Sequence, residues 1–268
     1  LFFVRNSSWL SWEIAVCGRK AGKFMVYVLD DDLLHIVQGN PAEKYYGQEA
    51  VRNRIRWFVR NCDVFTSPSA YMLKKYQRFA GKSVRFVQIK EPCMSGKAQI
   101  SRKVDTKKLK IGFAGSSDRG TDVERILHDV LVEFTQKHGS EAEIAFMGTA
   151  EDLAWELGAP CYAYEMNYDR YRKKFYALGW DVGLAPMPDC EFHRCKHYNK
   201  YLEYAAAGCV GIYSNVIPYA GVIKDKENGI LAENTGQAWI AALEWCLNHR
   251  EALWEMRQNI HTDMVKNY

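Results

Sequence analysis

Three side chains that can bind an anionic ligand lie close together in the C-terminal third of the chain. Lys196, Lys200 and Glu203 adjoin a run of small and apolar residues whose spacing predicts a helix. Two ammonium groups can neutralise a phosphate, and a carboxylate can accept hydrogen bonds from hydroxyl groups. Gly208 predicts the end of this helix, and residues 210–214 predict the buried strand that follows. Ligands bind at the carboxyl ends of parallel strands, so the segment predicts a ligand site.

The same side chains have a simpler interpretation. Lys196 and Lys200 are four positions apart, a spacing that places both on one solvated helix face. His193 and His197 flank them, and a histidine titrates near neutrality, so it can polarise a hydroxyl or stabilise a phosphate. Histidines in a polar loop are, however, often plain surface groups.

A second candidate for anion binding follows the apolar run at residues 109–115. Gly115 and Ser116 let the backbone approach a phosphate, and a helix expected to begin near Asp122 directs its positive end to the same place. The sequence around Arg119 matches neither G-x-G-x-x-G nor the P-loop pattern. The alternative is a tight strand-to-helix turn with a side-chain cap.

An acidic run, Asp30-Asp31-Asp32, ends the apolar segment at residues 23–30 and formally contains an Asp-x-Asp metal motif. If the first half held a metal-dependent donor site, the loops of the second half that are suited to bind a phosphate would have no function. We therefore expect no metal ion. The alternative is a helix N-terminus stabilised by acidic side chains. The eight cysteines form no C-x-x-C pair and predict reduced thiols rather than a zinc site.

Apolar runs alternating with helical segments predict two doubly wound α/β domains. Residues 1–95 form the predicted first domain, and residues 109–250 the second, with strands expected at 109–115, 143–148, 181–187 and 210–214. A polar stretch at residues 96–108 is the predicted linker, and residues 251–268 the predicted C-terminal helix. Because the chain starts at Leu1 and the first domain is short, we expect that domain to be incomplete.

The bulk composition narrows the class of protein. With 48% hydrophobic and 25% charged residues, the chain is typical of soluble globular proteins. It has neither an apolar run long enough to span a bilayer nor the features of a signal peptide, and we therefore expect a cytoplasmic protein. A net charge of +4 is too mild for nucleic acid, but it suits an anionic ligand. Basic patches could also bring the protein to the inner face of a membrane. They comprise Arg52, Arg54, Arg56, Arg60, Lys74, Lys75 and Arg78.

The segment Lys196–Tyr219 resembles the donor site of GT-B glycosyltransferases, particularly glycosyltransferase family 4 and its relatives, and the Gly115 turn is similar to their glycine-containing loop. The resemblance implies two Rossmann-like domains facing a cleft, with the last helix crossing back to the first domain. It assigns the ribose to Glu203 and the diphosphate to Arg119, Lys196 and Lys200, which are the predicted catalytic cations. Many members carry a second glutamate at the position of Cys195, so this chain departs from the pattern there.

The resemblance also implies the reaction. We expect sugar transfer from a nucleotide-diphosphate sugar to a glycan, lipid-linked or protein acceptor in surface polysaccharide synthesis, metal-independent, without cofactor and with retained configuration. The predicted donor site comprises Gly115, Ser116, Arg119, His193, Lys196, Lys200 and Glu203, and Asp30 and Asp31 are predicted on the acceptor side. Two alternatives stay open: a non-catalytic nucleotide-sugar binding module and a sugar-nucleotide epimerase with the same fold.

Overall fold

The computed structural model describes residues 1–90 and 108–268, apart from the side chains of residues 117–119. The described chain divides into two compact units. The first unit contains the described residues up to position 90 together with Asp189–His197, and the second contains the rest. The predicted linker at residues 96–108 lies outside the described residues, apart from Lys108.

The first unit alternates short strands with helices. Its strands form one parallel sheet. The elements are β1 Phe2–Val4, α1 Trp9–Lys20, β2 Val26–Val28, α2 Glu43–Tyr46, α3 Glu49–Asn61, β3 Val64–Ser67, α4 Ala70–Tyr76 and β4 Arg85–Gln88. The strand order is β1-β2-β3-β4, so consecutive strands are neighbours.

Local signals explain where helices of this unit begin. Ser8 caps α1 by accepting a hydrogen bond from the Ser11 backbone over 3.2 Å, and Ser69 caps α4 by accepting from the Met72 backbone over 3.3 Å. Stacked aromatic rings then fill the core on the sheet, with Tyr27 packed on Phe58 at 4.8 Å between ring centroids. The acidic run follows the carboxyl end of β2, one strand of this sheet.

The second unit also has a single parallel sheet, made of six strands. From residue 108 onward the elements are β5 Leu109–Ala114, α5 Ser117–His138, β6 Ala142–Met147, α6 Glu151–Glu156, β7 Cys161–Tyr162, α7 Tyr168–Leu178, β8 Val182–Ala185, α8 Glu191–Arg194 (which belongs to the first unit), α9 Asn199–Ala207, β9 Val210–Ser214, β10 Ile230–Ala232, α10 Gly236–Asn248 and α11 Arg250–Asn267. The sheet order is β10-β9-β8-β5-β6-β7.

This strand order contains a topological switch point. From β5 the chain first adds β6 and β7 on one side, and then returns to add β8, β9 and β10 on the other side. The loops leaving β5 and β8 therefore diverge, and a crevice opens between them at the carboxyl edge of the sheet. Parallel α/β sheets bind ligands in this crevice. The predicted Gly115 turn lies there, because it leaves the end of β5.

The helix expected near Asp122 begins earlier, at Ser117, so that prediction was wrong. Two glycines near this turn are required by close packing and do not form a long loop. Gly112 lies inside β5, where an added Cβ would come within 2.0 Å of the Trp180 ring. Gly120 lies inside α5, where an added Cβ would come within 2.4 Å of the Thr149 hydroxyl. The turn itself is thus reduced to Gly115 and Ser116.

Substituting Gly112 by alanine is expected to destabilise the second unit by about 1–3 kcal/mol, because the new methyl group must displace the buried Trp180 ring. The free energy of unfolding from denaturant titration measures the effect. Gly221→Ala is the matched control, since an added Cβ there meets no atom within 4 Å. Equal stability of the two variants would contradict the packing at Gly112.

Within residues 1–90 and 108–268, none of the helices combines the length and the apolar character that crossing a bilayer requires.

Candidate functional site

The carboxyl edge of the second sheet is built around the end of β5. The Gly115 backbone N–H donates to the Met147 carbonyl over 3.0 Å, which holds the turn against the end of β6. Ser116 follows with extended backbone and directly precedes α5, a helix of 22 residues. The first-turn N–H groups of such a helix favour an anion. Arg119 lies in this first turn, and its side chain is outside the described part of the chain.

The loop leaving β8 is fastened by three polar groups. The Met187 backbone N–H donates to the Ser214 hydroxyl over 2.8 Å, and the Asn234 amide donates to the Met187 carbonyl over 2.9 Å. The Ser214 hydroxyl in turn donates to the Asn234 side-chain oxygen over 2.6 Å. The ends of β8 and β9 are therefore tied together, and the far side of the switch point is preorganised.

Lys200 and Glu203 form an ion pair on α9. The Lys200 ammonium lies 2.5 Å from the Glu203 carboxylate, and the two side chains are only 15% and 26% exposed. Lys200 therefore does not lie on a solvated helix face, contrary to the simpler interpretation. An amine and a carboxylate held three residues apart on one helix can bind an anion and a hydroxyl group next to each other.

Tyrosines of α9 fix this helix on the sheet. The Tyr204 hydroxyl donates to the Leu184 carbonyl over 2.5 Å, and its ring packs on Gly183, where an added Cβ would come within 2.6 Å. The Tyr201 hydroxyl donates to the Asp263 carboxylate of α11. The Lys200–Glu203 pair is thus carried by a helix with little freedom to move.

The predicted end of the helix was right, and its expected start was wrong. Gly208 follows α9 with a left-handed φ of 69°, which glycine adopts without strain. The helix begins at Asn199, however, because the backbone at Tyr198 leaves the helical region with ψ 43°. Lys196 therefore precedes the helix and does not share a helix face with Lys200.

Lys196 belongs to the first unit, where it pairs with the acidic run. Its ammonium lies 3.0 Å from Asp31, and Arg5 approaches the other Asp31 oxygen to 2.7 Å and Asp30 to 3.1 Å. Burial raises the pKa of Asp31, but Lys196 and Arg5 outweigh burial and lower it. Lys196 also lies over the Phe192 ring, 4.7 Å from its centroid. Asp31 is therefore ionised and already engaged with two cations.

Asp32 is the buried centre of a polar cluster that the sequence did not predict. Its oxygens lie 2.5 Å from the Lys75 ammonium, 2.7 Å from the Tyr76 hydroxyl and 3.1 Å from His35 Nδ1. Burial raises the pKa of Asp32, but hydrogen bonds with His35, Lys75 and Tyr76 outweigh it and lower the pKa from 3.8 to about 2. The alternative of an acidic helix start was wrong, since the next helix begins at Glu43.

The assignment of Lys75 to a basic surface patch was also wrong. Its side chain is only 4% exposed. Its ammonium lies 2.5 Å from the Asp32 carboxylate and 3.2 Å from the Glu191 carboxylate. Lys75 was assigned to a basic patch because a sequence does not reveal which carboxylate approaches a helix from elsewhere in the chain. Tyr76 on the same helix shares the role of holding Asp32.

Residues 189–197 were predicted within the second domain, and they pack with the first unit. Cys195 is part of the first unit's core, and its thiol lies 3.8 Å from Asp32. Burial raises the pKa of this thiol to about 12, so a neutral SH group occupies the position where the resemblance places a glutamate. His193 is buried as well, with Nδ1 3.0 Å from the Cys190 sulfur. Neither side chain is a plain surface group.

In the described ranges, no group of three His, Cys, Asp or Glu side chains is arranged to hold a metal ion.

The two parallel sheets of the described chain define the GT-B type of fold, as the sequence predicted. Solved structures with this fold that resemble the chain are glycosyltransferases. Sucrose-phosphate synthase from Thermosynechococcus elongatus matches with a TM-score of 0.68 at 13% identity, covering 99% of this chain and 68% of that one. HepE from Anabaena in complex with UDP-glucose matches with a TM-score of 0.69 at 12% identity, covering 100% and 74%.

A third structure, TarM, matches with a TM-score of 0.68 at 10% identity and covers 92% of this chain. The chain spans only 48% of the length of TarM. No protein-family model and no curated protein matches the sequence. At these identities the likeness establishes the fold, and the chemistry has to be argued from the residues.

Proposed function

We propose that this protein is a glycosyltransferase that takes a sugar from a nucleotide-diphosphate sugar bound at the carboxyl edge of the second sheet. The observation that carries the proposal is the Lys200–Glu203 pair on α9, the helix that directly precedes β9. Strand β9 pairs with β8, which borders the switch point. The GT-B fold supports it, because solved structures of this fold include HepE with UDP and with UDP-glucose.

The chemistry of glycosyl transfer fits these side chains. As the bond to the diphosphate breaks, negative charge grows on the leaving group and positive charge on the sugar ring. Lys200 stabilises the leaving diphosphate, together with the helix dipole of α5 behind Gly115 and Ser116. Glu203 accepts hydrogen bonds from the ribose hydroxyls. These fixed charges supply the stabilisation without a divalent metal.

The roles of Arg119, His193 and Lys196 stay predictions from the resemblance. For Lys196 the structure adds a competitor, because a phosphate has to draw its ammonium away from Asp31 at 3.0 Å. Asp30 and Asp31 are proposed to accept hydrogen bonds from acceptor hydroxyls, and the lowered pKa of Asp31 keeps that carboxylate ionised for the task.

The proposed acceptor is a glycan, a lipid-linked sugar or a protein, and the proposed setting is surface polysaccharide synthesis with retention of configuration. A lipid-linked acceptor requires contact with a membrane surface. Arg60, Lys74 and Arg78 of the first unit are exposed and suit the anionic headgroups of such a surface.

A panel of nucleoside diphosphates and their sugars, screened by thermal shift, tests the proposal. A ligand that binds only the folded protein raises its melting temperature. The nucleoside diphosphate and diphosphate sugars of one nucleobase should therefore raise the melting temperature in a concentration-dependent way. Incubation of that sugar nucleotide with the protein should then release the free diphosphate, slowly to water and faster with an acceptor. Absence of any shift across the panel would contradict the proposal.

A non-catalytic binding module is the second candidate, and the neutral buried thiol of Cys195 favours it. Such a module would show the thermal shift but neither hydrolysis nor transfer. Formation of an epimerised nucleotide sugar would instead indicate an epimerase.

A further inference from the structure

A cavity of about 200 Å³ lies at the amino edge of the second sheet. It is lined by the last turn of α5, the start of β6 and the loop between α6 and β7. The strands of this sheet are parallel, so the starts of β6 and β7 lie at the edge opposite to the loops that leave β5 and β8. The cavity is therefore separate from the proposed donor site.

Apolar side chains form most of the cavity wall. Phe134 of α5 and Ala142 and Ile144 of β6 line the cavity, and these residues are only 1%, 5% and 7% exposed. Leu157 and Pro160 contribute to the wall from the loop between α6 and β7. A cavity of about 150 Å³ in another protein binds benzene, so this volume suits a ligand as large as a phenyl ring or a branched alkyl chain.

A cation and a hydroxyl group also line the cavity, on Lys108 and Thr135. The Lys108 ammonium donates to the Gly139 carbonyl over 2.6 Å, which holds it at the end of α5. The Gly139 N–H donates to the Thr135 carbonyl over 2.9 Å, so Thr135 belongs to the same turn. The positive charge of Lys108 therefore lies beside the turn that carries the Thr135 hydroxyl.

The Thr135 hydroxyl is buried and has no hydrogen-bond partner within the part of the chain that the structure describes. A threonine inside a helix can donate to a carbonyl of the preceding turn, and Thr135 does not use this option. A buried hydroxyl without a partner destabilises the folded state. A ligand oxygen that accepts a hydrogen bond from Thr135 would remove this cost.

The other charged side chains of the cavity wall are Glu143 and His138. The Glu143 carboxylate lies 3.6 Å from the Lys110 ammonium, which offsets its charge. The His138 nitrogens lie 3.4 Å from Glu141 and 3.2 Å from Glu244, and neither of these glutamates lines the cavity. Lys108 therefore determines the sign of charge that the cavity attracts.

We propose that this cavity binds a small monocarboxylate with an apolar body, that is, an aromatic or branched-chain acid. The carboxylate pairs with the Lys108 ammonium and accepts a hydrogen bond from the Thr135 hydroxyl. The apolar body packs against Phe134 and Ile144. Such a site goes beyond the proposed glycosyl transfer and does not rest on it.

Thermal shift of the full chain tests the site, with benzoate as the probe and benzamide as its neutral isostere. Benzoate at millimolar concentration should raise the melting temperature because it binds the folded protein, and benzamide should raise it much less because it lacks the charge. Crystals soaked in benzoate should show it between α5 and the loop that precedes β7. Excess pyrophosphate, which is expected at the donor site, should not displace benzoate.

Thr135→Val distinguishes a ligand-binding hydroxyl from a structural one. Valine removes the unpartnered hydroxyl, so the variant without ligand should be at least as stable as the wild type. Its affinity for benzoate should nevertheless fall by about tenfold, and Lys108→Met should cause a loss of about the same size. Thr262→Val is the matched control, because the exposed Thr262 hydroxyl donates to the Gln258 carbonyl of its own helix.

Four results would overturn the carboxylate site. They are the absence of a melting-temperature increase with both benzoate and isovalerate, equal increases with benzoate and benzamide, displacement of benzoate by pyrophosphate, and only ordered water in the cavity after soaking. Unchanged benzoate affinity in both Thr135→Val and Lys108→Met would also overturn it, because the ligand would then bind elsewhere. None of these results decides the donor site, whose test uses nucleoside diphosphates.

Discussion

Glu203→Ala and Lys200→Ala are each expected to weaken nucleoside diphosphate binding by roughly tenfold to a hundredfold. Each substitution removes a charged hydrogen-bonding partner, a loss of about 1.5–3 kcal/mol. Glu203→Ala removes the acceptor for the ribose hydroxyls, and Lys200→Ala removes the cation beside the diphosphate. Calorimetric titration of each variant with UDP and GDP measures the loss, and pyrophosphate separates the two roles: only Lys200→Ala should weaken it strongly.

The chain offers a matched control for this experiment. Lys224 and Glu227 form another lysine–glutamate pair three residues apart in the second unit, at 3.0 Å, but their side chains are 70% and 57% exposed. Lys224→Ala should leave nucleotide affinity unchanged. If Lys200→Ala and Glu203→Ala both bound nucleotide as the wild type does, the assignment of the site to α9 would be wrong.

Asp32→Ala is expected to destabilise the first unit by about 3–5 kcal/mol, because it leaves the buried Lys75 ammonium without its closest counter-charge. The Tyr76 hydroxyl and His35 lose their common partner as well. Denaturant unfolding followed by tryptophan fluorescence measures the loss. Replacing Asp32 and Lys75 together by apolar residues should recover much of the stability, since no uncompensated charge then remains.

The contribution of Asp32 should also depend on pH in a defined direction. Its folded pKa of about 2 lies below the ordinary 3.8, so its stabilisation is complete above the ordinary value and is lost as the pH falls from about 4 toward 2. The stability difference between wild type and Asp32→Asn should be constant near neutrality and shrink over that range. Glu133→Ala, which removes an exposed pair with Lys137, should change stability little at any pH. A constant difference down to pH 2 would contradict the ionised, buried carboxylate.

Much of the fold was predictable because the central strands of the second sheet are buried on both faces. Continuous apolar runs such as residues 109–115 and 210–214 predicted strands now observed at Leu109–Ala114 and Val210–Ser214. The strand Cys161–Tyr162 was missed, since two exposed residues give no periodic signal. The start of α5 was missed because Gly120 resembles a loop residue until its contact with Thr149 is known.

The site was predictable in part, for a related physical reason. Lys200 and Glu203 share one helix, so their spacing alone predicts proximity. Lys75 and Tyr76 approach Asp32 from positions more than forty residues away, and Lys196 reaches Asp31 from the opposite half of the chain. Such pairs depend on tertiary packing.

A crystal structure of the protein with UDP or GDP, whichever binds more tightly, tests the central proposal most directly. We expect the diphosphate between Gly115 and Lys200 and the ribose hydroxyls on Glu203. Density for the nucleotide away from the carboxyl edge of the second sheet, with the Lys200–Glu203 pair unchanged from its 2.5 Å contact, would contradict the proposed donor site.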